Sequence, residues 1–172
     1  MAVNSITALV RDQGLELPSP RIPQADFMPW QQCGRLLHIS GQVCQWQGER
    51  RYLGKVGRDL TLEDGIRAAE LSALNILMWL AQAVDDDADR VIRCQRLGGF
   101  VNSVEPFDGQ ARVMGGASAL MVRLFGDRGR HTRSSVGVSM LPFNFATMVE
   151  ATFEVSPDAD GRGAPMPGGS PP

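Results

Sequence analysis

Few side chains in this sequence can carry out covalent chemistry. Lys55 is the only lysine, and it lies in the glycine-flanked stretch LGKVG, where an amine stays solvated and Schiff-base catalysis is not expected. His38 and His131 are the only imidazoles, which leaves little room for a histidine triad or a di-histidine metal site. Cys33, Cys44 and Cys94 are odd in number and lack C-x-x-C spacing, so neither a disulfide framework nor a zinc cage is indicated. What remains is the chemistry of arginines and carboxylates. Arg133 closes an arginine-rich stretch with Arg128 and Arg130, and Glu150 alternates with Met148, Thr152 and Glu154. By residue type alone both read as solvated surface positions. His38 reads as a hydrogen-bonded strand histidine, His131 as a turn residue and Cys94 as a small buried apolar side chain. Trp79 reads as core or interface, and Arg90, Arg93 and Arg96 as salt-bridged or solvated side chains.

The elements that would position these residues follow from changes of hydrophobic period. Thr61–Gln82 is the clearest helix, with Thr61 as its cap and Asp64 three residues on, as in a capping box. Its stripe is Leu62, Ile66, Ala69, Ala73, Ile76, Leu77 and Leu80. Phe107–Phe125 is a second helix, ending at Gly126 and weakened in its first half by Gly115 and Gly116. Leu36–Val43 reads as a strand with a bulge or close approach at Gly41. Gln45–Gly57 is a hairpin-like excursion. Val91–Val101 is a strand with a break at Gly98-Gly99, followed by strands at Ser134–Met140 and Ala146–Val155. The last of these places Val149, Ala151, Phe153 and Val155 on one face. This order predicts an α+β mixed sheet with both helices packed on one face. The other face then has no cover within one chain, and self-association is expected.

A chain of 172 residues with 43% hydrophobic and 21% charged side chains has the balance of one globular domain. Its net charge of −2 supplies no field to gather a polyanion, so nucleic acid is not an expected partner. No signal-peptide pattern opens the sequence and no apolar run is long enough to span a bilayer, which points to the cytoplasm. Residues 1–25 are expected to form an N-terminal extension, 26–155 the folded unit, and 156–172 a disordered tail rich in proline and glycine.

Four segments carry a resemblance: GRLLHISGQ, RLGGFVNSVEPF, TRSSVGVSMLP and ATMVEATFEV. In this order, over about residues 26–155, they resemble the reactive intermediate deaminases, the Rid or YjgF-type family, in a divergent branch. The resemblance implies a chorismate-mutase-like fold and a homotrimer with clefts between subunits. It implies hydrolysis of enamine or imine intermediates, of the 2-aminoacrylate and 2-iminobutyrate type, to a 2-keto acid and ammonium. It assigns Arg133 to the substrate carboxylate and Glu150 to the attacking water. Ser40 and Gly41 would line the cleft, with Phe27 near its mouth and Phe100 in the F-V motif. Ser135 stands where the family commonly has cysteine, and the usual asparagine at the start of the second helix has only Ser118 or Gly115 nearby.

Such chemistry requires no metal and no cofactor. The imine carbon is already activated, and the task is to hold a carboxylate and orient one water. Arginine suits the first part through its rigid, permanently charged fork, and a glutamate can accept the water's proton. The same cleft would also suit a non-catalytic trimer that binds or senses a keto or amino acid, and this reading stays open beside the first.

Overall fold

The computed structural model describes residues 4–20 and 26–156 of the chain, so the expected tail lies, from residue 157 on, outside the described residues. Ser5 caps a short first helix, α1 (Ile6–Asp12), by accepting a hydrogen bond from the Ala8 amide at 3.0 Å. Ile6 and Val10 are fully buried. The segment is tied down by Ile6 N–H to the Asp86 carbonyl (3.1 Å) and Ala88 N–H to the Asn4 carbonyl (2.8 Å). The core therefore reaches well before Asp26, the expected start of the folded unit. The Ile6, Leu9, Val10 spacing belongs to a packed helix.

Two strands follow, β1 (Trp30–Cys33) and β2 (Leu36–Val43), then a small hairpin of β3 (Gln45–Trp46) and β4 (Glu49–Arg50). The long helix α2 (Leu62–Ala83) begins at Thr61, where both halves of the capping box form. Strand β5 (Val91–Asn102) comes next. It runs unbroken through Gly98-Gly99, where a break was expected. The expected single helix at 107–125 is two pieces, α3 (Gln110–Val113) and α4 (Gly115–Phe125), meeting at Met114. Gly116 explains the tight fit of α4 on α2, because a Cβ there would run into the Ile66 carbonyl. Strands β6 (Thr132–Val138) and β7 (Thr147–Val155) complete the chain.

The five long strands form one mixed sheet in the order β1-β2-β7-β5-β6, with β5 and β6 parallel and the other pairs antiparallel. Helices α2 and α4 pack together against one face, over Leu37, Leu97, Val149, Ala151 and Phe153. The alternation of β7 is complete, with Thr147 and every second residue to Val155 buried and the intervening positions half-buried. The opposite face carries Leu36, His38, Glu150, Thr152 and Val136, and no helix among the described residues lies over it. Leu36 and Val136 are 41% and 46% exposed there. This is the α+β, chorismate-mutase-like arrangement. No helix among the described residues is long and apolar enough to cross a membrane.

Candidate functional site

The chemistry-bearing residues fall into two groups on opposite faces of the sheet. The register fixes this: Leu97, buried under the helices, pairs with Arg133 on β6, whereas its neighbour Gly98 pairs with Glu150 on β7. Adjacent strand residues point to opposite faces, so Glu150 belongs to the open face and Arg133 to the helix side of the edge strand.

On the open face a cavity of about 630 Å³ is bordered by Phe27, His38, Ser40, Arg96, Glu150 and Thr152. Glu150 lies across Gly98. A Cβ at that glycine would sit 2.7 Å from the Glu150 Cγ, so the carboxylate reaches its place because position 98 has no side chain. Arg96 pairs with its Oε1 at 2.8 Å. Arg96 faces this cavity because it stands two residues before Gly98 in the same alternation, in register with Thr152 on β7. His38 Nδ1 lies 3.2 Å from the Thr152 hydroxyl, a cross-strand pair as its strand position suggested. The Ser40 hydroxyl donates to the Met28 carbonyl at 2.6 Å and its amide donates to the Pro29 carbonyl at 2.9 Å. These bonds hold the segment carrying Phe27, which is 55% exposed at the cavity's edge.

Gly41 sits in the register shift between Ile39 and Gln42, the bulge its position suggested. It lets the Met148 side chain come close, since a Cβ would meet Sδ at 2.8 Å. Phe100 is half-buried on the open face, in register with Met148 and Val136, but does not border the cavity.

Arg133 is held from the helix side. Its Nη1 donates to the Ser118 hydroxyl at 2.9 Å and its Nη2 to the Ala111 carbonyl at 3.0 Å. Ser118 in turn lies 3.0 Å from His131 Nε2, and His131 Nδ1 lies 2.7 Å from the Gly129 carbonyl. Burial, with the nearby Arg133 charge, holds the His131 pKa below the ordinary imidazole value, partly opposed by the Gly129 carbonyl. Ser135 is two residues along the same strand, with its Oγ buried and without a hydrogen-bond partner. Within one chain the described residues do not bring Arg133 to Glu150.

Arg96, Ser118 and His131 are the polar residues that reasoning from the sequence left out of the site. The only signal for Ser118 was its nearness to the missing asparagine; Arg96 and His131 gave none, because their partners are distant in the chain. The thiols take no part in either group. Burial pushes the Cys94 thiol up to about 12 and raises that of Cys44, while Cys33 is exposed. Among the described residues no group of three or more His, Cys, Asp or Glu side chains is placed to hold a metal ion.

Residues 7–155 match the family model described as "YjgF/chorismate_mutase-like, putative endoribonuclease". Protein TCP17 of Trypanosoma cruzi is 36% identical over 157 residues, covering 91% of this chain and 98% of that protein. The crystal structure of Atu1372 from Agrobacterium tumefaciens, a protein with unknown function, superposes with a TM-score of 0.83. It is 36% identical, with 90% of this chain and 95% of that one covered. The YjgF gene product of E. coli shares the fold at a TM-score of 0.55 and 18% identity, covering 80% of this chain and 96% of that one.

Proposed function

Taking as premise that this chain belongs to the YjgF/chorismate-mutase-like family, we propose that it hydrolyses small enamine or imine carboxylates in clefts between copies of itself. The observation that carries this reading is the division of the polar residues into two half-sites, Arg133 on the helix side of the sheet and Glu150 on its open face. A second copy seated on the open face would bring its edge strand, with Arg133, to the cavity that holds Glu150. Exposed Leu36, Val136 and Phe27 provide apolar surface for such a contact. Closed symmetry would repeat the cleft at each interface, and a trimer is the assembly we favour.

In this cleft the guanidinium of Arg133 pairs with the substrate carboxylate through the N–H donors left free by Ser118 and Ala111. Glu150, anchored by Arg96, orients a water against the imine carbon and takes its proton as the C–O bond forms. The resulting carbinolamine collapses when that proton is returned to nitrogen. The freed Glu150 carboxylate takes the proton of the new hydroxyl as C=O forms and passes it afterwards to solvent. The C–N bond breaks, and a 2-keto acid and ammonia leave, the latter becoming ammonium in water. No nucleophile on the protein is consumed, and most of the rate gain comes from orientation.

The test is keto-acid release from freshly generated 2-iminobutyrate or 2-aminoacrylate, measured in competition with semicarbazide. Wild type should divert the intermediate to keto acid and Arg133→Ala should not. Equal rates for wild type, variant and buffer would exclude these substrates and favour a cleft that binds a keto or amino acid without turning it over.

A further inference from the structure

We propose that Ser118 and His131 are positioning residues that fix the Arg133 guanidinium through a hydrogen-bond chain of single polarity. The proposal rests on reading Arg133 as the carboxylate clamp. The polarity follows from chemistry at the two ends. A guanidinium can only donate, so in the 2.9 Å contact the Ser118 oxygen is the acceptor. A carbonyl can only accept, so in the 2.7 Å contact His131 Nδ1 carries the hydrogen for Gly129. In a neutral ring Nε2 is then bare, and 3.0 Å away it receives the Ser118 hydroxyl hydrogen.

Every link thus has one donor and one acceptor: Arg133 to Ser118, Ser118 to His131, His131 to Gly129. The opposite ring tautomer, or a charged ring, would aim two donors at the Ser118 oxygen and leave the hydroxyl hydrogen without a partner. The surroundings favour the neutral ring, since His131 is half-buried next to a fixed positive charge.

The ends of the chain are mechanically fixed. Gly129 is buried against α4 so closely that a Cβ would strike the Met121 backbone, which immobilises the accepting carbonyl. Ser118 is on α4 itself, and the Ala111 carbonyl on α3 holds the second nitrogen of Arg133 at 3.0 Å. Arg133 is an exposed residue on an edge strand, where a long side chain would otherwise sample many rotamers. The chain converts it into a fork with a set direction before any ligand arrives.

Two histidines make the test clean. In the His38→Gln variant the imidazole nitrogen spectrum reports His131 alone. The expected result is a neutral Nδ1–H tautomer at neutral pH, with an Nε2 signal that shifts on Ser118→Ala. Slow rotation of the Arg133 guanidinium, identified by its loss in Arg133→Lys, should become fast in Ser118→Ala.

In turnover, Ser118→Ala and His131→Leu should raise KM about tenfold with kcat nearly unchanged, as expected for a weakened charged contact. Ser118→Thr and His131→Gln, which keep the hydroxyl and an acceptor, should restore most of it. An Nε2–H tautomer, or guanidinium rotation indifferent to Ser118→Ala, would overturn the positioning role whatever the activity. If these signals hold while wild type fails to turn over any imine acid, the positioning role stands and the deaminase reading falls.

Discussion

Gly98 and Gly99 are adjacent on β5 and should respond to alanine in opposite ways. At Gly98 the new Cβ would lie 2.7 Å from the Glu150 Cγ on the open face. The Glu150 side chain is 39% exposed and can swing into solvent, giving up its pairing with a half-exposed Arg96. That ion pair is worth at most about 1 kcal/mol, and restricting the unfolded chain returns about 0.4–1 kcal/mol, so stability should barely change. The carboxylate, however, is displaced by about 1 Å or more, a shift that costs on the order of 100-fold in an orientation-dependent reaction. At Gly99 the new Cβ would lie 2.6 Å from Cγ of the fully buried Met114. Overfilling a core costs about 1–3 kcal/mol, and a chain of this size loses roughly 2–4 °C of Tm per kcal/mol. The assay pairs thermal denaturation with initial rates of imine hydrolysis per folded protein. Gly98→Ala should melt like wild type and be nearly inactive, while Gly99→Ala should melt several degrees lower and keep its rate. Full turnover by Gly98→Ala, or equal destabilisation by both, would refute the reasoning.

Other expectations follow from the fold. Ile6→Ala should lower unfolding free energy by roughly 2–5 kcal/mol in urea titration, because Ile6 is fully buried in the core rather than part of a dispensable extension. The Thr61 side chain, then Arg67, holds the Asp64 carboxyl down at about 2, against an ordinary 3.8. A depressed carboxyl contributes stability above its unfolded pKa and loses it as pH falls toward the folded value. Asp64→Asn should therefore flatten the acid limb of the stability profile between about pH 4 and 2. Thiol titration of the native protein should label Cys33 quickly, and Cys44 and Cys94 only after unfolding, because burial keeps those two thiols protonated.

The parts legible in the sequence are those whose cause is local. The bounds of β2, the Thr61–Asp64 capping box and the bulge at Gly41 each follow from a few neighbouring residues. The alternation of β7 also gives the buried face of the strand correctly, and with it the side on which Glu150 stands. What escaped depends on partners far along the chain. The spacing of Ile6, Leu9 and Val10 is visible, yet its packing partners near Asp86 and Ala88 are not. The stripe read on α2 describes only its first half, because Ser72 to Ala81 is buried on every side, between the sheet, α1 and α4. Gly98-Gly99 looked like an interruption, whereas the two glycines admit Glu150 on one face and Met114 on the other. The pairing of Arg96 with Glu150 leaves no mark in composition or period, because the two meet only through the register of β5 on β7.

The central claim is that each cleft takes Arg133 from one copy and Glu150 from another. Arg133→Ala and Glu150→Gln, prepared separately, should each be inactive in the semicarbazide assay. Unfolded together in equal amounts and refolded, they should form mixed assemblies in which roughly one quarter of the clefts pair an intact Arg133 with an intact Glu150. Activity should then reappear at about that fraction of wild type. Mixed assemblies that form, as tagged copies can show, but remain as inactive as their parents would contradict the account.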